Sequence, residues 1–130
     1  MAGKIIADTL ETGAGADIAT SYVVNGSAKA WVNFNGTGTI AARDSLNLSS
    51  LTDDGTSLYT VNYASSLANA NYCLTGALKY TGSGTGLSFT LQNITTPMTS
   101  SSSSFRSSPD YSASGTDNPI MMSDVKGDLA

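Results

Sequence analysis

Lys29-Ala30-Trp31-Val32-Asn33-Phe34-Asn35-Gly36 decides the fold class. Ala30, Val32 and Phe34 alternate with Trp31, Asn33 and Asn35, the period of two expected of a half-buried strand. Asn35-Gly36 then supplies turn chemistry. The same alternation recurs downstream. Tyr59, Val61 and Tyr63 share one face, as do Tyr72, Leu74, Gly76 and Leu78, and then Leu87, Phe89 and Leu91. Asp53-Asp54-Gly55 and Gly82-Ser83-Gly84-Thr85-Gly86 separate these runs as turns. No 12-residue stretch carries a helical apolar stripe, and Ser65–Ala70 is read as one short turn at most. About five strands over residues 27–95 at roughly 10-residue spacing predict an all-β chain with a compact antiparallel β-sandwich.

Two flanks complete the organisation. Residues 1–26 are read as an N-terminal arm: a short strand around Lys4–Leu10, the loop Gly13–Ala16, then Ile18 to Val24. Residues 27–130 are the sandwich domain. Within it, residues 96–117 begin near Pro97 and carry Ser100–Ser104, and are read as a long loop or ragged edge strand. Ile120–Val125 returns as a final strand.

Composition narrows function. The 130 residues include 20 Ser, 16 Thr, 13 Gly and 9 Asn, against 25 Ile, Val, Leu and Phe together. Only 12% of residues are charged, so charge does not hold the chain open. So small a core is marginal for a lone domain and favours self-association. The chain has no His, which removes Ser-His-Asp and Cys-His catalysis and imidazole metal ligands. One cysteine, Cys73, makes neither an intrachain disulfide nor a cysteine-rich zinc site. Six basic residues against ten acidic ones argue against nucleic acid as a partner. Apolar runs of a few residues argue against a membrane span. Asp8 falls too early for a secretory apolar region, which leads us to expect a protein made in a cytoplasm.

The motifs that could carry chemistry have plainer readings. Asp53-Asp54-Gly55 lacks the spacing and distal Glu of a calcium loop and reads as a hairpin turn. The Gly82–Gly86 repeat lacks the Lys-Ser/Thr of a phosphate loop. Arg43-Asp44-Ser45 reads as a structural ion pair or turn, since nothing activates Ser45. Asp53, Asp54 and Asp110 are the carboxylates that a glycoside-cleaving pair would draw on, but a turn beside Gly55 leaves Asp53 and Asp54 ordinarily ionised. The four Asn-x-Ser/Thr matches are chance in so Ser- and Thr-rich a chain. Cys73 reads as a small packing residue on the polar side of its strand. No catalytic residue, metal or cofactor is therefore assigned.

Contact residues are a different matter. With Val32 and Phe34 inward, Trp31 faces outward, either covered within the subunit or lying in a subunit interface; the apolar arm favours the interface. Ile5, Ile6 and Leu10 give that arm a strip to bury. Tyr80, Phe105 and Tyr111 flank the variable loops and are the expected exposed contacts, whereas Tyr59, Tyr63 and Tyr72 fall on core faces.

The stretch from Lys29-Ala30-Trp31-Val32-Asn33-Phe34-Asn35-Gly36 through Arg43-Asp44-Ser45, Asp53-Asp54-Gly55, Tyr59-Thr60-Val61 and Asn71-Tyr72 resembles the small β-domain carried by tail-fibre and other virion proteins of tailed bacteriophages, cyanophages among them. The resemblance covers residues 28–80 well and 118–130 loosely, including the ending Gly127-Asp128-Leu129-Ala130; residues 81–117 fall where such domains vary. The chain departs from the pattern in its short arm and its more polar last strand. The resemblance implies a non-enzymatic virion structural protein, assembled in the host cytoplasm, commonly threefold and so a homotrimer, with phage capsid or tail proteins as partners. Without shaft repeats or heptads, the expected role is capsid decoration (a cement protein). The alternatives are a short tail fibre or fibre tip contacting the host surface, and a carbohydrate-binding module.

Overall fold

The computed structural model describes residues 3, 5–79, 88–90, 98–108 and 115–130, with only the backbone of 88–90 and 108. The chain is all-β, and two four-stranded antiparallel sheets face each other as a sandwich. In chain order the elements are β1 (Thr9–Glu11), β2 (Asp17–Ala19), α1 (Thr20–Gly26), β3 (Ala28–Asn35), β4 (Ala41–Leu46), β5 (Leu48–Gly55), β6 (Leu58–Tyr63), β7 (Cys73–Lys79), β8 (Ser88–Thr90), β9 (Ser102–Ser108) and β10 (Ile120–Lys126). One sheet runs β4-β3-β10-β7 and the other β5-β6-β9-β8.

The chain changes sheets at Asn47, between β4 and β5. Asn47 holds the left-handed backbone (φ 56°) that Asn tolerates. Its carboxamide fastens the corner. Nδ2 donates to the carbonyls of Lys29 (3.1 Å) and Ser65 (3.0 Å), and Oδ1 accepts from the Ser65 amide (2.7 Å).

The core lies between the sheets and follows the alternation. Ala30, Val32 and Phe34 of β3, Met121 and Val125 of β10 and Leu78 of β7 face Tyr59, Val61 and Tyr63 of β6 and Phe105 of β9. Phe34 meets Tyr59 edge-on, with ring centroids 5.2 Å apart, and Phe105 lies 6.1 Å from both. Gly36 is where the β3–β4 turn touches this cluster. A Cβ there would stand 2.7 Å from Tyr59 Oη and 2.8 Å from the Asn118 carbonyl, so the position has no room for a side chain.

The serine run corrects the expectation of a loop or ragged edge. Ser102–Ser108 form β9, an interior strand paired with β6 on one side and β8 on the other. Ser103 and Ser107 are fully buried. Ser is a weak strand former, but ladder partners on both sides satisfy the backbone. The small side chains also leave the core volume to tyrosines from other strands. Tyr72 donates to the Ser102 carbonyl (2.7 Å), and Thr60 shares a hydrogen bond with Ser104 (2.7 Å).

Three further details differ from the sequence reading. The arm's first strand is Thr9–Glu11 where Lys4–Leu10 was expected, and its second half carries the helix Thr20–Gly26, which the sequence reading did not name. Arg43-Asp44-Ser45 lies inside β4 at a bulge opposite Asn33 and Phe34, and Arg43 bonds to Asn33 and the Pro119 carbonyl rather than to Asp44. The polar last strand is central, paired with β3 and β7, because Asp124 and Lys126 lie on its outer face while Met121, Val125 and the small Ser123 point in. The glycine-rich tip at 82–86 lies outside the described residues.

Candidate functional site

The arm is a small structure of its own. β1 and β2 pair antiparallel, Thr9 opposite Ala19. Between them Gly15 takes φ 78°, and backbone bonds join Gly15 to Thr12 and Thr12 to Ala16 (both 2.9 Å). Thr20 clasps the entering chain: its hydroxyl donates to the carbonyls of Ala7 (2.8 Å) and Asp8 (3.1 Å), and its amide donates to Asp8 (2.8 Å). Thr20 opens the seven-residue α1, which has no side-chain N-cap and no buried residue.

Lys29 ties this arm to the sandwich. Its side chain is buried, and its ammonium donates to the Ser27 carbonyl (3.0 Å), Ser27 Oγ (2.8 Å) and the Val24 carbonyl. A cation against the last carbonyls of a helix satisfies groups that the helix cannot pair and complements its dipole. Nothing in the sequence reading singled out Lys29; the available signal was a lone Lys two residues after a Gly26-Ser27 helix stop.

The arm's apolar side chains are out in water. Ile5 is 90% exposed, Ile6 82%, Tyr22 72% and Val24 58%, with Leu10, Ile18 and Val23 near half. Ile5, Ile6, Leu10, Val23 and Val24 line a groove of about 370 Å³. The expected strip of Ile5, Ile6 and Leu10 is thus gathered on one surface.

Trp31 stands elsewhere, on the outer face of the β4-β3-β10-β7 sheet, half-buried. Cross-strand pairing sets it in a row between Leu46 and Asp124, with Thr75 beyond. The next row is Asp44, Asn33, Met122, Ala77. Trp31 and Met122 rise over the small residues of β7, leaving a shallow groove of about 500 Å³ that no arm residue lines. Asp124 accepts bonds from Thr75 and Lys126. Desolvation opposes its ionisation, but these bonds and the Lys126 charge outweigh it and hold the carboxyl below its usual range. A third groove lies where the arm meets the sandwich, lined by Val23 and Val24 of the arm and Leu46 of the sheet.

The remaining sequence candidates separate. Phe105 is not an exposed contact: it is fully buried between Phe34 and Tyr59, because the strand it occupies is interior. Tyr80 and Tyr111 lie outside the described residues, as does Asp110. Cys73 is exposed on the outer face of β7. Asp53 accepts from the Gly55 amide (3.1 Å) and Asp54 from the Thr60 hydroxyl (2.6 Å), so both brace the hairpin. Asp117, unnoticed in the sequence, accepts from the Ser57 amide (2.7 Å) and Tyr59 Oη (2.8 Å).

Comparison with protein-family models, with curated proteins and with solved structures found no match. Among the described residues no three His, Cys, Asp or Glu side chains gather as a metal site, and no helix is long and apolar enough to cross a membrane. The distinguishing arrangement is therefore one of surfaces: an exposed apolar arm and a tryptophan-centred sheet face.

Proposed function

We propose that the protein is a non-enzymatic structural protein of a tailed-bacteriophage virion, a capsid decoration protein that works by assembly. The observation that carries the assembly is the exposure of the arm. A seven-residue helix with no buried residue does not hold its shape in water, and each large apolar side chain covered by a neighbour contributes about 1.5–3 kcal/mol. The arm acquires its stability when another subunit covers it. The virion setting rests on the resemblance of residues 28–80 to phage β-domains. The sandwich is the displayed body, and the arm is the connector to neighbouring subunits.

Gold-labelled antibody on intact particles tests this reading. Label distributed over the head is the expected result. Label confined to the tail would replace decoration with the fibre reading, and unlabelled particles would overturn the virion assignment altogether.

A further inference from the structure

We propose that the arm's partner is a second copy of this chain, and that the arm of one copy docks into the Trp31 groove on the outer sheet face of the next, head to tail. The proposal rests on the reading of the arm as connector and names what it grips.

Three observations select this occupant. The first is apolar matching. The large exposed hydrophobics of the described residues fall mainly in two places, the arm and the outer face bearing Met122 and Leu46 beside Trp31. A single head-to-tail contact covers both.

The second is shape. Ile5 and Ile6, 90% and 82% exposed, stand on the rim of the arm's own groove, and the sheet face is a trough whose β7 side is formed by Thr75, Gly76 and Ala77. Two such side chains can enter the trough, whereas two copies of the trough face to face leave it unfilled.

The third is charge. The arm sequence holds Asp8, Glu11 and Asp17 against Lys4 alone. The outer face and its rim hold Arg43, Lys79 and Lys126 against Asp44 and Asp124, an excess of positive charge, while the rest of the sandwich is acidic. Arm against arm would oppose like charges, whereas arm against this face opposes unlike ones. Because the two surfaces differ, each contact joins an arm to a face, and copies joined this way assemble as a reciprocal pair, a closed ring or an open chain.

A heterologous contact can be rebuilt from two broken halves. The arm variant is Ile5→Asp with Ile6→Asp. The face variant is Met122→Glu, with Ala77→Glu as a second; all four positions are solvent-exposed, so the melting temperature should stay that of the parent. Sedimentation equilibrium of the purified full chain should give a multiple of 13.3 kDa, and each variant alone should give 13.3 kDa. An equimolar mixture of arm and face variants should recover a species of twice 13.3 kDa, since one intact arm then meets one intact face.

Monomers with no mixed species would overturn the head-to-tail contact. A face variant that still assembles, with an arm variant that does not, would overturn the groove as the site in favour of arm-to-arm pairing. A monomeric parent chain would overturn self-docking and leave the face to the chain's own arm, a glycan or another virion protein. None of these outcomes depends on particles, so labelling of the head can succeed or fail independently.

Discussion

Ile6 and Val32 are both β-branched aliphatic residues, yet Ile6 is 82% exposed and Val32 1%. The arm and the sandwich use the same apolar chemistry toward different ends. In the sandwich, alternation directs the apolar residues of the facing strands at one another within the same chain. In the arm, backbone bonds at Thr12–Ala16 and the Thr20 clasp fix the shape, but among the described residues the apolar side chains are left half to almost wholly exposed. Local hydrogen bonding gives the arm its form, and on the reading proposed above assembly gives it stability.

The sharpest break in that comparison is charge reversal of exposure. Val32→Asp places an unpaired carboxylate in the core at a cost of several kcal/mol, comparable to a small domain's whole stability. It should abolish cooperative thermal unfolding. Asn33→Asp, on the outer face of the same strand, should melt within a few degrees of the parent. Equal melting temperatures would reverse the assignment of faces.

A smaller effect comes from the buried tyrosines. Burial, reinforced for Tyr59 by its bond to Asp117, holds the hydroxyls of Tyr59, Tyr63 and Tyr72 in the neutral form well above the ordinary phenol range. The unfolded chain ionises them near their ordinary value of about 10. Stability is therefore full below that pH and falls as pH rises past it. Chemical denaturation at pH 9 and pH 11 should show the loss. Tyr59→Phe should cost about 1–3 kcal/mol at neutral pH through the bonds to Gly36 and Asp117, and should lessen the alkaline loss.

Lys29→Met tests the junction between the two regions. It keeps the stem's packing but removes the donors at the end of α1. About 1 kcal/mol of stability should go. Limited proteolysis should then cut within residues 5–26 faster while the sandwich fragment persists. Unchanged cleavage would show that Lys29 does not hold the arm.

The smallest expected effect is at Asp124. Its carboxyl is held below the usual range, so the stabilisation it gives is present above pH 4 and fades as pH falls through its folded value. The side chains of Lys126 and Asp124 are 42% and 31% exposed, so Asp124→Asn should change stability by about 0.5 kcal/mol or less.

The sandwich was largely legible because its signal is local. Period two at Ala30–Phe34, Tyr59–Tyr63 and Tyr72–Leu78 states which side chains face inward, and the structure follows it. Ser102–Ser108 was not legible. A serine strand is made by its neighbours' ladders and by tyrosines that sit elsewhere in sequence, so its own composition argues for a loop. Phe105 went astray with it. The surface candidates Ile5, Ile6, Leu10 and Trp31 were legible as apolar residues lacking an inward face, whereas Lys29 and Asp117 were not. Lys29 acts on a helix end, and Asp117 acts across 58 residues on Tyr59; neither spacing leaves a pattern.

The most direct test of the central claim, that the arm is covered only in assembly, is amide hydrogen exchange on the intact protein over a range of concentrations. The amides of β1, β2 and α1 should exchange quickly at high dilution and slow as concentration rises, while those of β3, β6, β9 and β10 stay equally protected throughout. Arm amides whose exchange is independent of concentration would contradict the account.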